Sequence, residues 1–368
     1  MSFNRKRIII AGGGTGGHLF PAIAIGEALE SNGMLVKYIG SKNGIEAKST
    51  FIESEKLELL DLRGFVRSWN FRSIIKNISL LAKIIKSYIK VRKIIKSFNP
   101  DFVIGTGGYI CAIPLYIAIK NNILTAIQEQ NVLPGMVARK FADKVDLVFL
   151  SFKESEKYLT KNNYFVVGNP IREMIGRVDR IEAAKSMGVL PNKKTILILG
   201  GSQGAKSINQ HFIKNYKKYT NQNFQLIWQT GKNSGFELKK INHENIRKYE
   251  FIDKMDAAYG AVDLVVSRAG ATAISEILYL GKPSILIPYP YAADNHQELN
   301  AKILSDNQAS IVVSEDEFDN GKLEESIFSI MGSDEKLKLF SDNAISYSSK
   351  NSSSLIKEKL LQRMSDAR

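Results

Sequence analysis

At 368 residues the chain is longer than one ordinary domain, and two domains of about 150–200 residues are expected. Hydrophobic residues make up 44% and charged residues 24%, which is enough for two cores and excludes a disordered chain. The net charge of +14 suits nucleic acid, anionic lipid or a phosphorylated substrate without choosing among them, while a lone cysteine, Cys111, excludes an internal disulfide and suggests a reducing compartment.

The opening MSFNRKRIIIAGGG has the basic-then-apolar order of a signal peptide, but Ile8–Ala11 is far shorter than the roughly 7–15 apolar residues such a segment needs. It reads instead as a buried first strand. No stretch approaches the roughly 20 apolar residues of a spanning helix, so a cytosolic protein with at most peripheral membrane contact is expected.

Short β-branched runs alternate with helical patterns from end to end, the signature of parallel sheets with crossover helices. Strands are expected at Arg7–Ala11, Leu35–Gly40, Asp101–Gly105, Thr125–Glu129, Val145–Leu150 and Phe165–Gly168. A second set follows at Thr195–Gly200, Gln225–Gln229, Tyr249–Ile252, Asp263–Ser267, Pro283–Pro288 and Ser310–Val313. The fold class is therefore α/β: two Rossmann-like, doubly wound domains facing across a cleft. Residues 1–169 form the first, 170–340 the second, and 341–368 a C-terminal helix placed to pack back on the first.

Gly12-Gly13-Gly14-Thr15-Gly16-Gly17-His18 follows the first strand and precedes a helix expected at Ala22–Glu30. Glycines let a backbone approach a ligand closely, and a helix N-terminus offers bare N–H groups to an anion. Gly12, Gly14 and Gly17 satisfy G-x-G-x-x-G, but the second strand ends Tyr38-Ile39-Gly40-Ser41 without the carboxylate that a dinucleotide ribose wants. An NAD site is thus disfavoured. The run Gly201-Ser202-Gln203-Gly204-Ala205-Lys206-Ser207 lacks the adjacent Gly-Lys of a P-loop, which disfavours an ATPase. A third loop, Gly105-Thr106-Gly107-Gly108-Tyr109, also follows a strand, so Gly13, Gly14, Gly107, Gly108 and Tyr109 are candidate lining residues of a ligand cleft at the strand C-termini.

Farther on, Arg268-Ala269-Gly270 leads into Ala271, Thr272, Ala273, Ile274, Ser275 and Glu276. Small residues opening a helix suit a diphosphate, and a carboxylate one turn later suits a ribose diol. The loop Tyr289–Ala301 is rich in amides and hydroxyls, which suit a sugar. The four histidines show no ligand spacing and there is no Asp-x-Asp, so no metal cofactor is expected.

Between Leu62 and Pro100 ten Lys/Arg occur with no acidic residue. Ile74, Ile78 and Leu81 share a helical spacing with Ile85, Tyr88 and Ile95, while Lys76, Lys83 and Lys90 repeat every seven residues. One reading is a core-packed helix with a solvated lysine face. The other is an interfacial patch of Ile74, Ile78, Leu81, Lys76, Lys83 and Lys90 against an anionic membrane surface. A nucleic-acid-binding role would call for aromatics among the basic residues, and here isoleucines stand between the lysines.

Eight segments occur in order: GGGTGGHLFPAIAI, GTGGY, QEQN, VVGNPIR, GGSQGA, FIDKM, SRAGATAISE and PYPYAADNHQELNA. Together they resemble the MurG family, the N-acetylglucosaminyltransferases that convert lipid I to lipid II in peptidoglycan synthesis, over nearly the whole chain. The resemblance implies a GT-B fold, with lipid I in the N-terminal domain and UDP-N-acetylglucosamine (UDP-GlcNAc) as co-substrate, held mainly by the C-terminal one. Other cell-wall synthesis proteins become candidate partners. Donor contacts are implied at Thr15, Gly16, Gly17, Asn131, Arg172, Ser202, Ile252, Ala271 to Glu276 and Gln297. Glu276 would meet the ribose, Ser202 and the Ala271–Thr272 amides the phosphates, the Ile252 backbone the uracil, and Gln297 the sugar hydroxyls. The family often has histidine where this chain has Gln128, which removes any acid–base role there. The reaction implied is inverting attack by a muramyl 4-hydroxyl, and His18 is the candidate general base or a phosphate contact. Rival enzymes with this fold are a diacylglycerol glycosyltransferase and a UDP-sugar epimerase; neither is expected to carry both the GGTGGH and HQELNA segments.

Overall fold

The structure is a computed structural model that describes residues 5–48, 51–62, 71–176, 178–201, 204–232 and 236–367, without the side chains of 71–79, 236 and 239. The first part of the chain runs β1 (Arg7–Ala11), α1 (Gly16–Glu30), β2 (Leu35–Ser41), β3 (Leu57–Leu60), α2 (Phe71–Phe98), β4 (Phe102–Gly105), α3 (Ala112–Lys120), β5 (Leu124–Glu129), α4 (Met136–Phe141), β6 (Leu147–Leu150) and β7 (Tyr164–Val166). The second runs α5 (Arg180–Met187), β8 (Thr195–Leu199), α6 (Lys206–Thr220), β9 (Gln225–Gln229), α7 (Phe236–Lys240), β10 (Ile246–Tyr249), α8 (Met255–Gly260), β11 (Leu264–Arg268), α9 (Ala271–Leu280), β12 (Ser284–Ile287), α10 (His296–Asp306), β13 (Ile311–Val312), α11 (Lys322–Met331) and α12 (Asp334–Ser346). The chain closes with α13 (Ser352–Asp366). It divides into two compact units, Met1–Arg172 with Asn351–Arg368, and Glu173–Lys350.

Each unit is built on a wholly parallel sheet. The strand order is β3-β2-β1-β4-β5-β6-β7 in the first unit and β10-β9-β8-β11-β12-β13 in the second. Parallel strands covered on both faces need apolar residues throughout, which is why Ile8 to Ala11 and Thr195 to Leu199 are buried without alternation. Ile9 and Ala11 enter the core under α2 and α3, while Ile8 and Ile10 pack with α1 on the other face. That second layer is completed from the far end of the sequence: Ile356, Leu360 and Met364 of α13 are buried in it. Arg363 pairs with Asp146 at 2.8 Å, and the Lys359 ammonium lies 5.2 Å from the Phe165 ring centroid.

Three local differences from the sequence reading fall where the apolar pattern is weak. The first sheet has seven strands because Leu57–Leu60 adds an edge strand, and β10 starts three residues earlier than expected. Both are edge strands with one neighbour and half-buried residues, so the apolar signal is weak. Helix α1 begins at Gly16 rather than Ala22, because its glycine-rich first turn carries no apolar period.

In both sheets the strand order reverses at the middle, between β1 and β4 and between β8 and β11. The crevice outside the strand carboxyl ends at such a reversal is where open α/β sheets take ligands. The loops at 12–18 and 105–109 leave β1 and β4; those starting at 200–201 and running over 269–272 leave β8 and β11. All four sequence-predicted loops thus stand at switch points.

Helix α2 has two apolar faces. Leu80, Val91, Ile94 and Ile95 are buried against the sheet, whereas Leu81, Ile85, Tyr88 and Ile89 are exposed. The Tyr88 ring meets Tyr116 of α3 at 6.5 Å between centroids. Lys83 pairs with Asp61 at 2.9 Å and Lys90 with Glu58 at 2.8 Å, so these two lysines brace the β3 edge rather than the exposed apolar stripe. The side chains of Ile74, Lys76 and Ile78 lie outside the described residues. Among the described residues no helix is long and apolar enough to cross a membrane.

Candidate functional site

At the first switch point two glycine loops meet around His18. Its carbonyl accepts from Thr106 Oγ1 at 3.0 Å, and its Nδ1 stands 3.4 Å from Thr15 Oγ1. The imidazole lies flush on the second loop: a Cβ at Gly107 would come within 2.4 Å of His18 Cδ2 and 2.9 Å of Nε2. Gly107 also has φ +105°, a conformation that favours glycine. Thr106 is held in turn by Gln130, whose Nε2 donates to its carbonyl at 2.8 Å. Tyr109, next along, is exposed.

The QEQN segment lies behind these loops. Gln128 is fully buried and donates to Ser151 Oγ and Asn169 Oδ1 at 3.2 and 3.1 Å, the bonding of a structural amide. The Glu129 carboxylate accepts from the Asn131 backbone N–H at 2.9 Å, the Asn131 side-chain amide at 3.2 Å and the Gly135 N–H at 2.9 Å. Burial raises the Glu129 pKa above the usual carboxylate value, against those hydrogen bonds. Asn131 is thus fixed by its neighbour. Arg172 is buried with its guanidinium carbon 4.0 Å from the Phe20 ring centroid, which places it beside α1. Cys111 is buried, and burial pushes its thiol up to about 12, so it is no nucleophile.

Glu46 is the residue that the sequence reading missed. It is buried five positions past the end of β2, and its carboxylate accepts from the N–H groups of Gly14 and Ser41 at 2.9 and 2.6 Å. The signal was present in Gly40 and Gly44, whose missing side chains make room for it.

The second unit has the parallel arrangement. Gln229, at the end of β9, donates to the Gly201 carbonyl at 3.1 Å and accepts from the Ile252 N–H at 3.0 Å. The Ile252 N–H is therefore engaged inside the protein, and its carbonyl is the backbone group left to consider for a base. Helix α9 starts after Gly270 with Ala271, Thr272, Ala273, Ile274 and Ser275 in its first turns. Glu276 is buried on the same helix and accepts from the Tyr259 hydroxyl at 3.1 Å. Arg268, just before that helix, donates to the carbonyls of Ile287 and Pro288 at 3.3 and 3.2 Å and to Ser207 Oγ at 3.0 Å, and it pairs with Glu315. One guanidinium thereby ties the ends of β11 and β12 to the start of α6. Gln297 accepts from the Tyr289 N–H at 2.9 Å. Ser202 lies outside the described residues. Among the described residues no group of three His, Cys, Asp or Glu is placed to hold a metal ion.

Residues 8–150 match the glycosyltransferase family 28 N-terminal domain and residues 195–360 its C-terminal domain, so both pairs of switch-point loops fall inside the matched spans. Two similar proteins are UDP-N-acetylglucosamine--N-acetylmuramyl-(pentapeptide) pyrophosphoryl-undecaprenol N-acetylglucosamine transferases. That of Prosthecochloris aestuarii is 40% identical, covering 90% of this chain and 92% of its own length. That of Christiangramia forsetii is 36% identical, covering 92% of both. Among solved structures, MurG of Acinetobacter baumannii matches with a TM-score of 0.73 at 22% identity, over 97% of this chain and 99% of that one. A UDP-GlcNAc 2-epimerase from Neisseria meningitidis, solved bound to UDP-GlcNAc, matches with a TM-score of 0.67 at 15% identity, over 97% of this chain and all of its own. At those identities the structural likenesses speak for the GT-B fold alone. The sequence relatives decide the family: the chain belongs to glycosyltransferase family 28 and, within it, to the MurG family.

Proposed function

We propose that this protein transfers N-acetylglucosamine from UDP-GlcNAc to the muramyl 4-hydroxyl of lipid I, with inversion, giving lipid II. The observation that carries the reading is the match to transferases of that name over about nine-tenths of both lengths. In this reading the second switch point holds the donor. The N-terminal amides of α9 face the diphosphate, Glu276 takes the ribose diol, and the Ile252 carbonyl accepts from the uracil. Gln297 and its loop take the sugar hydroxyls. Thr15, Gly16, Gly17, Asn131 and Arg172 belong to the first unit and complete the donor contacts.

His18 acts as general base on the acceptor hydroxyl, because imidazole titrates near neutral pH and its ring stands at the first switch point. Gly13, Gly14, Gly107, Gly108 and Tyr109 shape the acceptor side. A base predicts that His18→Ala loses kcat with donor KM kept; a phosphate contact predicts a rise in KM instead.

The protein works peripherally at the cytoplasmic face of the bacterial inner membrane. The support is the second apolar face of α2, where exposed Leu81, Ile85, Tyr88 and Ile89 are bordered by exposed Lys86, Arg92, Lys93 and Lys96. Apolar side chains would enter the headgroup region, and each cation near an anionic surface contributes about 1 kcal/mol. Vesicles of anionic phospholipid should bind the wild-type protein and release it in salt; Leu81→Ser with Ile85→Ser should abolish binding, and unchanged binding would refute the patch.

The deciding assay is transfer of labelled N-acetylglucosamine from UDP-GlcNAc to a lipid I analogue, wild type against Glu276→Ala. No transfer by the wild-type protein would overturn the assignment.

A further inference from the structure

Glu46 has no part in the chemistry above, yet the chain makes unusual room for it. It sits in a short turn, Ile45–Ala47, just past β2, and is 1% exposed. Its Oε1 accepts from Ser41 N at 2.6 Å and Gly14 N at 2.9 Å, and Oε2 accepts from the same Gly14 N–H at 3.1 Å. Three glycines line it. A Cβ at Gly13 would stand 2.2 Å from Oε1, one at Gly44 2.3 Å from Oε2, and one at Gly40 2.7 Å from Cγ. Such contacts are far inside van der Waals range.

A glycine loop between a strand and a helix ordinarily offers its amides to a ligand anion. Here an anion that belongs to the protein stands in that place. On its other side the loop touches the second glycine loop: a Cβ at Gly108 would lie 3.1 Å from Gly13 O, and the next residue back, Gly107, carries the His18 ring. The Gly13–Gly14 segment is therefore held between the Glu46 carboxylate and the backbone on which His18 rests.

We propose that Glu46 is a positioning residue for the transfer reaction, a built-in anion that fixes the first glycine loop and, through it, the His18 ring. The proposal rests on the transferase reading above. A loop released from Glu46 lets His18 drift, and a misplacement near 1 Å costs on the order of 100-fold in rate. Donor affinity resides mainly on the second unit in that reading, with Thr15, Gly16 and Gly17 adding to it, so kcat should fall far more than donor KM rises.

The test is a double-mutant cycle in the full-length protein, with labelled UDP-GlcNAc and a lipid I analogue. Glu46→Ala should lower kcat by about 100-fold, with a donor KM that rises by less than about tenfold. Gly40→Ala adds a methyl from the β2 side whose three nearest atoms all belong to Glu46, and it should displace the carboxylate to similar effect. The two losses should not multiply, because the methyl has nothing to displace once Glu46 is gone. Glu46→Gln keeps one acceptor oxygen and should fall between wild type and Glu46→Ala. Formate, a carboxylate small enough for the vacated space, should restore part of the Glu46→Ala rate and leave the wild type unchanged.

A Glu46→Ala enzyme with near wild-type kcat would overturn the proposal, as would multiplying losses or a rate indifferent to formate. If Glu46→Ala does not fold, Gly40→Ala and Glu46→Gln carry the same test, and wild-type kcat in both overturns it. Absence of transfer by the wild type would instead count against the transferase reading.

Discussion

Gly107 offers a direct test of how tightly the first switch point is built. In Gly107→Ala the new methyl would stand 2.4 Å from His18 Cδ2 and 2.9 Å from Nε2. Carbon atoms settle near 3.5 Å, so the ring must retreat by roughly 1 Å. At a reacting centre that displacement costs about 100-fold, or close to 2.7 kcal/mol of barrier at 1.36 kcal/mol per decade. The backbone adds its own cost, since φ +105° is poorly populated by alanine and strain of this kind amounts to about 1–3 kcal/mol of stability. Initial rates with varied UDP-GlcNAc, beside a thermal melt, separate the two effects. The expected result is a kcat near one-hundredth of wild type, a donor KM within about twofold and a modestly lowered Tm. Gly108→Ala is the comparison: its Cβ would stand 3.1 Å from Gly13 O and 3.5 Å from His18 Nδ1, both looser than the 2.4 Å at Gly107, so the loss should be smaller. A folded Gly107→Ala protein with kcat within about threefold of wild type would refute the placement of His18 in the chemistry.

Three other outcomes follow from the packing and charge. Leu360→Ala should destabilise the first unit by about 3–5 kcal/mol although it lies near the chain's C-terminus, because Leu360 is fully buried beside α1; a urea transition of that unit moved by less than about 1 kcal/mol would contradict this. Tyr259→Phe removes a 3.1 Å donor to the Glu276 carboxylate, a bond worth about 1.5–3 kcal/mol, so UDP-GlcNAc KM should rise about tenfold with kcat kept, whereas an unchanged KM would dissociate Glu276 from the donor. Burial lowers the His211 pKa from 6.5, so the unfolded chain takes up a proton before the fold does. That contribution to stability is complete above the unfolded value and is lost as pH falls below it. Urea midpoints of the second unit should therefore drop from about pH 7 to 5, and His211→Gln should flatten that slope.

How legible each part was depends on how local its cause is. Ile8 to Ala11 and Thr195 to Leu199 announce buried parallel strands within five residues each, and the glycine loops announce the strand ends they follow. Strand β3 does not announce itself, and that omission propagated. With Leu57–Leu60 unseen, Glu58 and Asp61 had no assigned place, so the spacing of Lys83 and Lys90 read as part of a solvent-facing stripe rather than as two ion pairs along the β3 edge. Apolar residues also run almost all round α2, and period alone could not say that Val91, Ile94 and Ile95 face the sheet while Leu81, Ile85 and Ile89 face away. Glu46 escaped for a related reason. Its partner Gly14 is 32 residues away, on the loop of a neighbouring strand, and no short pattern links the two.

The two switch points share a plan and differ in what fills them, which bears on why one chain built from two similar sheets would bind two different substrates. In the first unit the glycine loop is satisfied by a carboxylate, Glu46. In the second, the described part of the corresponding loop meets a neutral amide, Gln229, at the Gly201 carbonyl, and the nearby Arg268 guanidinium is balanced by Glu315. A phosphate approaching Glu46 to about 5 Å meets a repulsion of roughly 3 kcal/mol per unit charge at an effective dielectric of 20. The same phosphate at the second loop meets no such fixed anion in Gln229, and the α9 N-terminus favours it. On the proposed reading this difference in charge favours the second unit for a nucleotide diphosphate, with Glu276 set farther along α9 for the ribose. On the same reading the first unit's glycine loop holds His18 at the switch point where an acceptor hydroxyl would arrive.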